Sequence, residues 1–147
     1  MRAAQTPVPP RGPTRPTSEG ARGVLELGPA VGAWVRSLLA TDRAWAAISV
    51  PDAAGRLRVI WAEEADPADG RLRASRRRSA FLGGAIQRVV LTADGGSTLA
   101  FLPLVSGGSV VGVLEVRAWE AIPEARWAAL EGVVGQLAVA VAAFSDR

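Results

Sequence analysis

Leu99-Ala-Phe-Leu-Pro-Leu-Val-Ser-Gly-Gly-Ser-Val-Val-Gly-Val-Leu-Glu-Val116 is the stretch on which the reading of this chain turns. It reads as two strands joined by a tight turn. Ser106-Gly107-Gly108-Ser109 supplies the turn, because glycine reaches positive φ without a steric penalty. The flanking runs are rich in Val, Leu and Phe, as in strands covered on both faces. Pro103 has no N–H to donate, so its strand is either an edge at that point or bonded through its other side.

A long helix follows the hairpin. Pro123 suits its first turn, and Glu124 complements the positive helix N-terminus. Trp127, Leu130, Val134, Leu137, Val141 and Phe144 then step by three and four, a heptad seam that Val133, Ala138 and Ala140 widen. Upstream, Ser79 to Val90 reads as a helix with Leu82, Ile86, Val89 and Val90 on one face, although Gly83 and Gly84 inside it cost about 1 kcal/mol each relative to Ala. Ala62 to Ser79 reads as polar and irregular. Its arginines (71, 73, 76, 77 and 78) read as a solvated surface set against Glu63, Glu64, Asp66 and Asp69. No aromatic lies among them to stack a base, so no nucleic-acid interface is expected.

Trp45–Val50 and Leu57–Trp61 read as strands about a turn at Pro51–Gly55. In the second, Leu57, Val59 and Trp61 alternate with Arg58 and Ile60 and are assigned to one face. Val24–Ala40 reads as a helix with Val24, Leu27, Val31, Trp34 and Leu38 on one side, interrupted or begun at Gly28-Pro29. Residues 1–22 are rich in Pro and Arg, show no apolar periodicity and are expected to be a disordered tail; residues 23–147 form the domain.

Composition excludes a good deal. The 147 residues contain no Cys, His, Lys, Tyr or Asn. Thiolate chemistry, imidazole ligands or bases, and lysine Schiff bases are therefore ruled out. Serines are present, but no His or Lys can activate them, and no enzyme activity, cofactor or metal site is expected. The net charge of +3 resides in residues 1–22, which hold four arginines against Glu19; the remainder balances. The longest apolar run, Gly132 to Phe144, is short for a membrane span. A cytoplasmic protein is expected, with no membrane or nucleic-acid partner.

The order is helix, two strands, a polar segment with a helix, two strands, long helix. It implies an α+β fold, a central antiparallel sheet with the N- and C-terminal helices packed on one face. Leu102-Pro-Leu104, then Gly108-Ser-Val-Val-Gly-Val-Leu-Glu-Val116, then a helix with Leu137-Ala-Val-Ala-Val141, resembles the C-terminal half of a GAF domain. The resemblance extends over residues 24–145 and implies a non-catalytic regulatory or sensory module of signal transduction. It implies that one face of the sheet holds an uncharged cofactor, a small metabolite or no ligand. The branches of the family that attach a bilin through Cys, ligate haem through His, reduce sulfoxides through Cys or bind cyclic nucleotides through an Asn-Lys-Phe-Asp-Glu motif lack their residues here. Element order is also compatible with a roadblock/longin-like interaction module that binds a protein partner such as a small GTPase through its sheet edge.

Candidate site residues follow. Glu115 and Arg117 share a strand face; either they form a structural pair at the end of the strand or, with Trp61 or Trp119, they line a ligand pocket in which Arg117 grips a carboxylate or phosphate. The apolar residues of the two terminal helices exceed what one covered face needs. Val31, Trp34, Leu38, Leu130, Val134, Leu137 and Val141 are therefore expected to form a homodimer interface, a parallel four-helix bundle linked to a signalling partner.

Overall fold

The computed structural model describes residues 16–64, 68–91 and 96–145, with side chains between 27 and 143. In chain order the elements are α1 Pro16–Leu39, β1 Ala44–Pro51, β2 Leu57–Ala62, α2 Gly70–Gly83, β3 Gln87–Leu91, β4 Ser97–Ser106, β5 Ser109–Ala118 and α3 Glu124–Ser145. The strands form one antiparallel sheet in the order β2-β1-β5-β4-β3.

The opening hairpin is the centre of this sheet. β4 and β5 pair from Thr98 opposite Ala118 to Ser106 opposite Ser109, with one bulge between Leu104 and Val105 that leaves Val111 as an extra residue. Gly107 and Gly108 take φ of 61° and 82°, the pair of positive values that a two-residue turn between twisted strands requires. Pro103 pairs with Val113 on β5, while β3 reaches only Ser97 to Phe101. The missing N–H therefore falls where β4 has run past its outer neighbour.

Side-chain alternation splits the core into two layers. On one face Ala46, Ile48, Ala100, Leu102, Leu104, Leu114 and Val116 pack against Val31, Val35 and Leu39 of α1 and Trp127, Leu130, Leu137 and Val141 of α3. The first and last helices thus lie together on one side, as expected. On the other face Leu99, Phe101 and Val113 meet Ala80 of α2.

Four local readings are corrected. The expected helix at Ser79–Val90 is divided: α2 lies earlier, over the segment read as irregular, and Gln87–Leu91 is a strand. Gly84, at φ 66°, ends α2 in the left-handed region and donates its N–H to Ala80 O at 2.9 Å. The chain leaves that cap extended, and Gln87, Val89 and Leu91 point inward in alternation. Second, α1 runs unbroken through Pro29 and begins at Pro16, so Pro16–Arg22 of the expected tail belong to its backbone; residues 1–15 lie outside those described. Third, Glu63 is not a solvated loop residue. Its carboxylate accepts the Ala46 N–H at 3.0 Å and pairs with Arg36 at 2.7 Å, tying α1 to β1. Fourth, Glu124–Ala143 is by length and composition apolar enough to cross a membrane, a longer span than the Gly132–Phe144 run suggested. One side of that helix is nonetheless buried on the chain's own sheet.

Candidate functional site: a charged layer between β5 and α2

Two charged side chains stand in the second half of β5, the central strand of the sheet. Glu115 is wholly inaccessible and Arg117 is 2% exposed. Alternation puts both on the face toward α2, where a bare charge would be costly. Neighbouring strands supply Ala47 and Phe101 beside Glu115, and Trp45 and Leu99 beside Arg117. None of these four carries a compensating charge.

Compensation comes from α2. Asp69, Arg73, Arg77 and Ala80 recur at steps of four, four and three, one face of a helix. Ala80 lets that face approach the sheet. Arg73 donates from Nε to Glu115 Oε2, and Arg77 pairs with Oε1 at 2.9 Å. Both arginine side chains are nearly buried, and the Arg73 guanidinium also lies 4.9 Å from the ring centroid of Trp45. At the other end Arg117 donates to Asp69 Oδ2 at 3.0 Å and to Ser97 Oγ at 3.2 Å, with its guanidinium 5.4 Å from the Trp119 ring centroid. Asp69 sits at φ 57°, a left-handed conformation that disfavours a side chain, just where the chain enters α2. Two arginines thus share one carboxylate, and a third is held by a carboxylate at the helix start.

Of the expected ligand residues, Glu115, Arg117 and Trp119 are brought into one neighbourhood. Trp61 is not. A bulge in the β1–β2 ladder, between Ile48 and Ser49, makes Ile60 an extra residue and places Trp61 opposite Ile48. Trp61 therefore packs in the α1–α3 layer, where a Cβ on Gly28 would overlap its indole ring. Gly28 serves this contact rather than a helix break. Arg117 is also engaged by Asp69 and Ser97, so the anion grip expected of it is met from within the chain. Sequence reading missed Asp69, Arg73, Arg77, Ser97 and Trp45. The i, i+4 spacing of Arg73 and Arg77 was the available signal, set against a lone acidic residue in a buried strand.

The expected interface residues are similarly divided. Val31, Leu130, Leu137 and Val141 are buried in the core of the single chain, which corrects their assignment to an intersubunit surface: the heptad seam is the stripe that faces the sheet. Trp34, Leu38 and Val134 are half-buried at its margin. Outside them an apolar groove of about 290 Å³ runs between α1 and α3, lined by Leu27, Ala30, Val31, Trp34, Gln136, Leu137 and Ala140. Among the described residues no cluster of acidic side chains is arranged to hold a metal.

No family model matches the sequence, and no curated protein is significantly similar to it. Solved structures are. The second GAF domain of DevS from Mycobacterium smegmatis is 26% identical, with 84% of this chain and 96% of that one covered at a TM-score of 0.59. The GAF domain of the potassium sensor histidine kinase KdpD from Escherichia coli is 18% identical, with 89% and 94% covered at 0.59. The type II free methionine-R-sulfoxide reductase from Thermoplasma acidophilum is 13% identical, with 88% and 96% covered at 0.62. With its sheet order, its paired terminal helices and these likenesses along most of its length, the chain has the fold of a GAF domain.

Proposed function

We propose that this chain is a non-catalytic regulatory module of signal transduction that acts as a homodimer, its α1 and α3 helices packing against those of a second copy and passing a signal to a partner protein. The observation that carries this reading is the outer face of α3. Ala128, Gly132, Gly135, Val139 and Ala143 lie along it at steps of four, three, four and four, all exposed. Between Trp127 and Phe144 the only charged residue is Glu131. Glycine inside a helix costs about 1 kcal/mol relative to Ala. Yet a Cβ on Gly132 or Gly135 would meet nothing within 4 Å in this chain. Small residues that nothing within the fold requires are suited to close approach by another helix. The apolar groove beside Trp34 adjoins this stripe and supplies the apolar area.

The likeness to GAF domains of sensor proteins supports the regulatory part. The reductase among the neighbours shows that the fold also carries an enzyme, and the non-catalytic reading rests on composition: no Cys, His or Lys is available as nucleophile or base. The roadblock/longin-like alternative has less support, because the similar solved structures named above include GAF domains of sensor proteins.

Sedimentation velocity tests the dimer. Val139 is 64% exposed, so Val139→Arg removes nothing from the core. The wild type and Leu82→Arg, on the opposite layer, are expected to sediment as dimers and Val139→Arg as a folded monomer. A wild type that remains monomeric at high micromolar concentration would refute the reading.

A further inference from the structure

A cavity of about 430 Å³ opens between the β1–β2 turn and the C-terminal half of α2. It lies outboard of the charged layer, near the edge strand. Leu57 and Phe81 form its apolar wall, and Leu82, 69% exposed, overhangs it. Arg56, Arg77 and Arg78 complete the lining. Arg77 is committed to Glu115. Arg56 and Arg78 take part in no ion pair among the described residues. The nearest carboxylate of the turn, Asp52, is spent locally: Oδ1 accepts the N–H groups of Ala54 and Arg56, each at 2.9 Å, and Oδ2 pairs with Arg58 at 3.2 Å. α2 itself contains five arginines and no acidic residue.

We propose that this cavity binds a small carboxylic acid with an aromatic or branched aliphatic body, the carboxylate held between Arg56 and Arg78 and the body laid on Leu57, Phe81 and Leu82. The volume is that of a small-molecule site. Two guanidinium groups at an apolar wall match an anion with a hydrophobic portion, and the planar fork of arginine matches a carboxylate. Phosphate fits less well. Phosphate sites are commonly built from free backbone N–H groups, and here the turn amides of Ala54 and Arg56 are used by Asp52 Oδ1 and that of Gly55 by the Asp52 carbonyl. Occupancy would bridge the β1–β2 turn to α2, the helix whose arginines hold Glu115. The site therefore offers a route by which a metabolite alters how α2 sits on the sheet, and it does not depend on dimerisation.

Isothermal titration calorimetry with phenylacetate, phenylacetamide and inorganic phosphate tests this. Phenylacetate is expected to bind wild type and Val139→Arg alike, with a Kd of about 1 mM or tighter. The neutral amide and phosphate are expected to bind at least about tenfold more weakly. Arg56→Gln with Arg78→Gln, both exposed and so compatible with an unchanged melting curve, is expected to reduce phenylacetate affinity by at least about tenfold, and Leu82→Asp to weaken it as well. Absence of phenylacetate binding, equal affinity in the double variant, or phosphate binding as tight as phenylacetate would each overturn the proposal. Equal binding by Val139→Arg and wild type separates its fate from that of the dimer.

Discussion

Glu115→Ala isolates the charged layer. The wild-type carboxylate is fully buried and is shared by Arg73 and Arg77, which are themselves 14% and 15% exposed. Removing it leaves two guanidinium groups pressed against an apolar strand face with no anion. Breaking a buried pair from one side costs about 3–5 kcal/mol, because the remaining charge is desolvated without compensation. For a domain of this size that corresponds to a fall of about 10–15 °C in the melting temperature. Urea unfolding followed by far-ultraviolet circular dichroism gives the free energy directly, and the m-value checks that the native state has not loosened. A second variant separates pairing from packing. Replacing Arg73, Glu115 and Arg77 together with Met removes the charges and keeps comparable volume, and such exchanges are commonly neutral or stabilising. The expected order is therefore the triple variant at or above wild type, with Glu115→Ala well below both. If Glu115→Ala melted within about 2 °C of wild type, too little for an uncompensated buried charge, Glu115 could not be the anion that holds α2 to the sheet.

Gly28→Ala is expected to destabilise by about 1–3 kcal/mol, since its Cβ would displace the Trp61 ring from the α1–β2 contact; a chemical denaturation curve coincident with wild type would contradict this. Gly84→Ala, at φ 66°, is expected to cost about 1 kcal/mol at the end of α2, read from the same unfolding experiment. Two surface carboxylates set an acid limit. The Asp52 carboxyl is held below its ordinary value chiefly by the Arg56 N–H, and that of Glu124 by the hydrogen bond from Arg88. Both are depressed in the folded state, so their contribution is complete above the unfolded carboxylate range, near pH 4, and is lost as pH falls through the lower folded values. Melting temperature is therefore expected to decline on acidification below about pH 4, and Asp52→Asn with Glu124→Gln to flatten that decline.

The hairpin and α3 were legible because their signals are local. Paired glycines demand a turn, unbroken Val and Leu runs demand burial, and a three-four alternation after Pro123 demands a helix. The same signals failed at α2. α2 docks through Leu72, Ala80 and Phe81 together with Arg73 and Arg77, so its apolar stripe alone is too sparse to mark it in the sequence. A hydrophobic pattern is blind to an arginine whose partner lies about forty residues on, at Glu115. Leu82, Ile86, Val89 and Val90 drew the helix too late in the chain, although Leu82, Ile86 and Val90 are exposed and Val89 belongs to a strand. Trp61 was misplaced for a different reason. Alternation from Leu57 puts it on the face of Glu115, and one bulge reverses that parity. The surplus of apolar residues on α1 and α3 was visible, but which of them face the sheet depended on a rotation of α3 that a heptad count does not specify.

The absence of cysteine makes the dimer directly testable by a single introduced thiol. Val139→Cys lies on the small-residue face of α3 and Leu82→Cys on the far layer, and both positions are exposed in the single chain. In a parallel pairing of α3 with its copy, equivalent positions meet near the symmetry axis. Mild oxidation at low micromolar concentration, read on a non-reducing gel, is expected to convert Val139→Cys to a covalent dimer and leave Leu82→Cys monomeric. Equal cross-linking at both positions, or none at Val139→Cys with the thiol shown to be reactive, would contradict an assembly through the terminal helices.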